Sequence, residues 1–280
     1  LIHGYYEDAY LKPIAANTNG IFECLEKGAE YIHWDEKRKA YQNQTGDIRR
    51  GVGMALFSYK TGVWPISLEI AGARLSLNQD GSVQLQVGAT EIGQGADTVF
   101  SQMAAETLHM DISRVHIVTQ QDTDVTPFDT GAYASRQSFV TGTAVKECAQ
   151  QLKQKILEYA RTLVPGNVDR LELEDGYILA DGKPAISLED LAMESYYSLS
   201  NSSVLTAEVS RQVKKNTVAS GCCFAEVEVD MKLGKIKVLD IVNVHDSGTL
   251  LNPQLAAMQV HGGMFMGIGY GVSEQLLIDE

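Results

Sequence analysis

Apolar and polar residues alternate at period two over Val83-Gln84-Leu85-Gln86-Val87, then give way to helical spacing. Val99, Phe100, Met103, Ala104 and Leu108 form one stripe of a helix predicted over Asp97–Met110. A longer helix follows, with Val140, Ala144, Cys148, Leu152, Ile156, Tyr159 and Leu163 on one face, and Pro165-Gly166 ends it. Each helix is entered through a glycine-bearing turn: Glu91-Ile92-Gly93-Gln94-Gly95 before the first, Thr130–Ser135 before the second.

Leu1–Pro13 carries no clear pattern. One helix is predicted from about Thr18 to Tyr41, with Ile21, Phe22, Leu25, Ala29 and Ile32 on one side and the charged run Asp35–Lys39 as a solvated last turn. Polar residues Gln42–Arg50 read as a connector, placing residues 1–49 as a trailing segment and 50–280 as the main unit. Gly51–Tyr59 and Ile66–Leu77 read as strands, and Asn78-Gln79-Asp80-Gly81 turns the second back into Val83–Val87. Arg114–Val118 is a short strand, Leu171–Leu179 with Pro184–Ile186 a small hairpin, Leu188–Tyr196 a short helix and Val204–Val209 an edge strand.

Phe224–Asp230 alternates, with Ala225, Val227 and Val229 on one side and Glu226, Glu228 and Asp230 on the other. The chain returns as Ile236–Val244, so this hairpin is expected to have a wet face carrying the carboxylates. Asn252-Pro253 announces a further helix. Its glycines at 262, 263, 267, 269 and 271 weaken it by about 1 kcal/mol each, which implies that another helix or a cofactor comes close to the backbone. A strand is expected at Gln275–Asp279. The mixture of elements is α+β.

At 280 residues and 44% hydrophobic, the chain can bury a sizeable core. A net charge of −13 excludes a nucleic acid or an acidic membrane as partner, since both need a basic surface. Any bound anion must then be held by local dipoles. Helix N-termini supply them, and the two glycine turns suit a large anionic cofactor, although two ordinary tight turns explain the same pattern. Neither turn matches a P-loop or a Rossmann fingerprint.

Cys24, Cys148, Cys222 and Cys223 show no C-x-x-C spacing, which fits a reducing, cytoplasmic compartment. No run reaches the length of a membrane span. A start at Leu1 and a stop at Glu280, inside an expected strand, read as a piece of a longer polypeptide. Asp122, Asp124 and Asp129 lack the D-x-D-x-D-G framework of a Ca²⁺ loop and read as solvated. Trp64 either lines a substrate pocket or anchors packing. His245 with Asp246 is an acid–base or metal pair, or else Asp246 only shapes its turn.

Three stretches in register, Gly88–Gly95 (G-A-T-E-I-G-Q-G), Gly131–Gly142 (G-A-Y-A-S-R-Q-S-F-V-T-G) and Val244–Gly263, resemble the molybdenum-binding subunit of the xanthine dehydrogenase and aldehyde oxidase family, bacterial xanthine dehydrogenases in particular. The resemblance covers most of the chain from about Arg50. It implies an α+β fold of the molybdopterin-binding type, with mixed and antiparallel sheets flanked by helices. It also implies a cofactor of molybdenum and molybdopterin, in bacteria often the cytosine dinucleotide, with no direct protein ligand to the metal.

Carried over, Ile92, Gly93 and Gln94 touch the cofactor through backbone and amide groups. Ala134 sits near the metal and leaves room for substrate. Tyr133, like Trp64, is a candidate pocket residue read from the sequence itself. Ser135, Gln137 and Ser138 bind the phosphate region, and Gln259 hydrogen-bonds the cofactor. Position 137 is often serine in the family. The implied reaction hydroxylates an electron-poor carbon of a purine, related heterocycle or aldehyde with oxygen from water, a glutamate acting as base. Electrons leave through 2Fe-2S clusters to FAD on partner subunits or domains, in a homo-oligomer of the heteromeric complex. The glutamate's Gly-Glu-Pro-Pro motif is absent here and is expected beyond Glu280, so the isolated chain is expected to be inactive. A non-catalytic cofactor-binding or assembly module is the alternative.

Overall fold

The computed structural model describes residues 20–278 together with the backbone of 5–7 and 13–15. In chain order the elements are β1 (Tyr5–Glu7), β2 (Pro13–Ala15), α1 (Ile21–Ile32), α2 (Trp34–Ala40), β3 (Ile48–Thr61), β4 (Ile70–Leu77), β5 (Val83–Val87) and α3 (Ala96–Leu108). There follow β6 (Val115–Ile117), α4 (Gln137–Leu163), β7 (Leu171–Glu174), β8 (Tyr177–Ala180), β9 (Lys183–Ser187) and α5 (Leu188–Tyr197). The last are β10 (Thr206–Gln212), β11 (Thr217–Asp230), β12 (Lys235–Asp246) and α6 (Pro253–Val272).

They form two compact units, Leu1–Thr61 with Asn216–Glu280, and Gly62–Lys215. The boundary expected near residue 50 falls inside β3. That strand pairs along its whole length with β11, from Ile48 opposite Asp230 to Thr61 opposite Thr217; of the expected connector Gln42–Arg50, residues 42–47 are turn and coil and 48–50 are sheet.

In the Gly62–Lys215 unit a four-stranded sheet runs β10-β4-β5-β6. It is mixed: β5 and β6 are parallel, the other pairs antiparallel. The expected turn at Asn78–Gly81 sets the β4–β5 register, Leu77 opposite Val83. The apolar stripes of α3 and α4 bury as their spacing demands, with Phe100, Ala104, Leu108, Val140, Ala144, Cys148, Leu152 and Ile156 in one core with Leu75 and Leu85. The strand expected at Val204–Val209 is β10, an edge as read, starting two residues later. A three-stranded antiparallel sheet β7-β8-β9 adds the small hairpin region.

The other unit is built on the antiparallel sheet β12-β11-β3. The single helix expected to Tyr41 is broken at His33, a left-handed residue (φ 58) whose N–H bonds the carbonyls of Ala29 and Glu30. Its expected beginning at Thr18 lies outside the described residues. α1 buries Ile21, Cys24, Gly28 and Ile32, and Cys24 and Ile32 pack with Val52, Cys222 and Phe224. After the break, α2 lies so that Lys37 and Tyr41 reach Glu226.

Here the expected wet face is covered at Glu226, while Glu228 and Asp230 stay half-exposed. Glu226 shares its face with Cys222 and Phe224, is only 7% exposed, and accepts from the Tyr41 hydroxyl (2.5 Å) and pairs with Lys37 (2.6 Å). The alternation holds, but α1 and α2 cover the face that carries the glutamate. Ala225, Val227 and Val229, on the other face, are half-buried.

The hydrogen bonds from Lys37 and Tyr41 outweigh burial and hold the Glu226 carboxyl below its ordinary range. A depressed folded-state pKa contributes stability above the unfolded value, near 4.3, and loses it as pH falls through the folded value. Glu226→Gln is therefore expected to lower stability by about 1.5–3 kcal/mol at neutral pH. The difference from wild type should close in urea titrations taken below the ordinary carboxyl range. An equal deficit at both pH values contradicts this coupling.

α6 starts as expected, the Asn252 side chain accepting from the Leu255 N–H and Pro253 opening the first turn. It runs unbroken through its glycines. A methyl group built at Gly262, Gly263, Gly267 or Gly271 meets nothing within 4 Å, and one at Gly269 meets only the Glu274 side chain, so among the described residues no other helix makes the expected close approach. Residues 275–278 form no strand, and Asp279 lies outside the described residues.

Candidate functional site

The two glycine turns converge. β5 delivers the chain into residues 88–95, and the carboxamide of Gln94 donates to the Gln137 carboxamide at the start of α4 (2.5 Å). Both amides also donate to the carbonyl of Thr90, at 3.0 Å from Gln94 and 3.2 Å from Gln137. A pair of side-chain amides thus ties two turns 43 residues apart.

Within the first turn most donors are already used. The Ile92 N–H bonds Gln94 Oε1 (2.7 Å), and the Gly93 N–H bonds Glu91 Oε1 (2.7 Å). The Ile92 side chain is 69% exposed, and Gly93 is left-handed (φ 97) with open space where a Cβ would stand. Gly88 is needed for a different reason than ligand approach: a Cβ there would sit 2.2 Å from the Pro127 carbonyl oxygen. The acidic loop crosses the sheet at that point.

The second turn hangs on Arg136, which the sequence reading did not single out. Its guanidinium is fully buried. Nε donates to Glu69 (2.6 Å), Nη1 to Asp129 (2.5 Å) and the Gly131 carbonyl (2.9 Å), and Nη2 to the Ile70 carbonyl (2.8 Å). Asp129 also accepts from the Gly131 N–H and the Thr141 hydroxyl. Asp129 is therefore not part of a solvated loop, unlike Asp122 and Asp124, which are exposed. An arginine next to two distant acids left no local signal; only the fold brings 69, 129 and 136 together.

Clamped this way, Ala134 and Ser135 take consecutive left-handed conformations (φ 47 and 52), and Ala134 accepts from the Gly62 N–H (2.8 Å). The α4 N-terminus that follows has no side-chain cap and no acidic residue in its first turn. The N–H groups of Gln137 and Ser138 find no acceptor among the described residues. The hydroxyls of Ser135 and Ser138 are exposed beside them. These are uncommitted donors at the positive end of a long helix, an arrangement suited to an anion.

The pocket residues are placed differently. Tyr133 is 37% exposed, with its ring 5.4 Å from the Arg136 guanidinium carbon and its hydroxyl on Thr130. Trp64 is half-buried under Lys214, 6.0 Å from its ring centre. An open polar hollow lined by Asn78, Asp80, Ser82, His116 and Tyr196 lies at the opposite end of β5 from the two turns. Gln259 is exposed on α6, in the other unit. In that unit the His245 ring packs on Phe57 at 4.8 Å, and Asp246 accepts from the Gly248 N–H. Among the described residues no group of three or more His, Cys, Asp or Glu side chains is arranged to hold a metal ion.

Residues 27–280 match the profile of the molybdopterin cofactor-binding domain. The chain belongs to that family. It is 50% identical over 263 residues to the xanthine dehydrogenase molybdenum-binding subunit of Escherichia coli O157:H7, covering 93% of this chain and 35% of that protein. It is 26% identical to the aldehyde oxidoreductase molybdenum-binding subunit PaoC of Escherichia coli (strain K12), over 93% of this chain and 34% of that one. Quinoline 2-oxidoreductase from Pseudomonas putida 86 has the same fold, with a TM-score of 0.83 at 21% identity over 98% of this chain and 36% of its own. The chain thus spans about a third of the length of the relatives it matches. The α+β architecture of mixed and antiparallel sheets is that of this molybdopterin-binding domain family. No helix among the described residues is long and apolar enough to cross a membrane.

Proposed function

We propose that this chain forms part of the cofactor-holding wall of a xanthine dehydrogenase-like molybdenum hydroxylase. The observation that carries the reading is the uncommitted donor set at the α4 N-terminus, facing the amide-linked turn of a chain half identical to a xanthine dehydrogenase molybdenum-binding subunit. N–H and hydroxyl donors fit the phosphate portion of a molybdopterin, in its cytosine dinucleotide form. Ser135, Gln137 and Ser138 bind that portion. The carboxamides of Gln94 and Gln137 meet neutral polar atoms of the pterin, while Ile92 and Gly93 shape the turn that presents them. Ala134, small and held left-handed, leaves room beside the reacting centre. When bound, the cofactor supplies the oxidative chemistry that hydroxylates a purine, heterocycle or aldehyde carbon.

What these residues contribute is position: preorganised donors that bind the cofactor without rearranging. FAD and 2Fe-2S partners, a homo-oligomeric assembly and a cytoplasmic location belong to the same reading. It is tested on the complete subunit purified from its native host. Molybdenum and pterin are expected at one each per subunit, with xanthine or hypoxanthine hydroxylated and ¹⁸O taken up from labelled water. A subunit that carries neither metal nor pterin contradicts the proposal; the isolated chain is expected to be inactive, and hydroxylation by it contradicts that expectation alone.

A further inference from the structure

The two helix ends at the site are not equivalent, and one side chain makes the difference. α3 begins after Gly95, which offers no side chain to cap it. The cap comes instead from Glu91, four residues earlier. Its Oε1 accepts from the N–H groups of Gly93 (2.7 Å) and Gly95 (3.0 Å), and its Oε2 accepts from that of Asp97 (3.1 Å). Both glycines are left-handed, φ 97 and 88, so the chain curls around the carboxylate as it would around a bound anion.

Burial opposes the charge on Glu91. The backbone N–H groups of Gly95, Asp97, Gly93 and Ala96 outweigh it and hold the carboxyl below its ordinary range. Asp97 moves the opposite way, raised by burial and by the charge of Glu91. One carboxylate has taken the N–H groups of Gly93, Gly95 and Asp97.

We propose that Glu91 is a built-in anion: its carboxylate occupies the α3 N-terminus, shuts a ligand phosphate out of that end, and holds the Ile92-Gly93-Gln94 turn in the shape that joins Gln94 to Gln137. The turn before α3 then offers a neutral carboxamide, and negative charge on a ligand is steered to α4. Glu91 is a positioning residue and touches no reacting atom. The steering of a cofactor rests on the reading of the site given above; the capping of α3 does not.

The test is Glu91→Ala in the complete subunit, with formate as a small replacement carboxylate and Glu91→Gln as the variant that leaves no space for it. Hydrogen exchange at the amides of Gly93, Gly95 and Asp97 is expected to quicken about tenfold in Glu91→Ala, the equivalent of losing a charged hydrogen bond. Pterin and molybdenum retained per subunit are expected to fall about fivefold, in line with loss of a helix cap. Formate should return both to the wild-type level in Glu91→Ala and do nothing for Glu91→Gln.

Unchanged protection at the three amides overturns the proposal, and so does a loss that formate does not repair in folded protein. If Glu91→Ala does not accumulate folded, amide protection in Glu91→Gln decides: faster exchange at those three amides supports the role and wild-type exchange refutes it. A wild-type subunit free of molybdenum and pterin defeats the cofactor reading alone, because the amide protection and the formate response still report on Glu91.

Discussion

Arg136→Met is expected to destabilise the Gly62–Lys215 unit by about 3–5 kcal/mol, the cost of removing one partner from a buried ion pair. The guanidinium is fully buried and faces two carboxylates, so its loss leaves Glu69 and Asp129 in the interior without a countercharge. Their remaining donors, the Val63 N–H for Glu69 and the Gly131 N–H and Thr141 hydroxyl for Asp129, are neutral. Arg136→Lys should be milder but still damaging, since an ammonium cannot reproduce a planar fork that reaches Glu69, Asp129 and the Gly131 and Ile70 carbonyls together.

The measurement is urea unfolding followed by Trp64, the tryptophan of this unit, in a Trp34→Phe background. A control isolates the cause. Arg136→Met combined with Glu69→Gln and Asp129→Asn alters more of the network yet leaves no uncompensated charge, so it should be more stable than Arg136→Met alone. If it is less stable, net charge is not what Arg136 balances. Cofactor retention should fall with Arg136→Met as well, because the clamp sets where Ser135, Gln137 and Ser138 present their donors.

Phe224→Ala should cost about 3–5 kcal/mol in the other unit, the range for truncating a buried aromatic. Phe224 is 1% exposed at the middle of β11, between Met54 on β3 and Val242 on β12. Trp34 meets it edge-on at 5.5 Å between ring centres. On the α1 side the fit is tight enough that a Cβ at Gly28 would fall 2.4 Å from the Phe224 ring. The helix backbone rests on the ring, and alanine would leave a cavity that α1 cannot fill without sliding along the sheet. Phe224→Leu keeps part of the volume and should lose less. Urea unfolding read from Trp34 in a Trp64→Phe background checks both, and a loss under 1 kcal/mol for Phe224→Ala would mean that α1 collapses into the space.

Much of the local structure was legible in the chain because it depends on neighbours within a few residues. The stripes of α3 and α4, the turn at Asn78–Gly81, the cap and proline that open α6, and the pairing of β11 with β12 all follow from spacing and turn chemistry. The two glycine turns could also be found, since a strand, a glycine turn and a helix follow one another directly in sequence.

What each turn does was decided in three dimensions. Read alone, both helix ends offered N–H groups to an anion; in the fold the Glu91 carboxylate occupies the first, while at the second the N–H groups of Gln137 and Ser138 find no acceptor among the described residues. Arg136 has no local pattern, because Glu69 and Asp129 reach it from positions 67 and 7 residues away. Glu226 shows the limit most plainly. Period two says which residues of a strand share a face, but not which face another element will cover. The acid shared its face with Phe224, α1 packed on that face, and a carboxylate expected in water became a buried anchor for Lys37 and Tyr41.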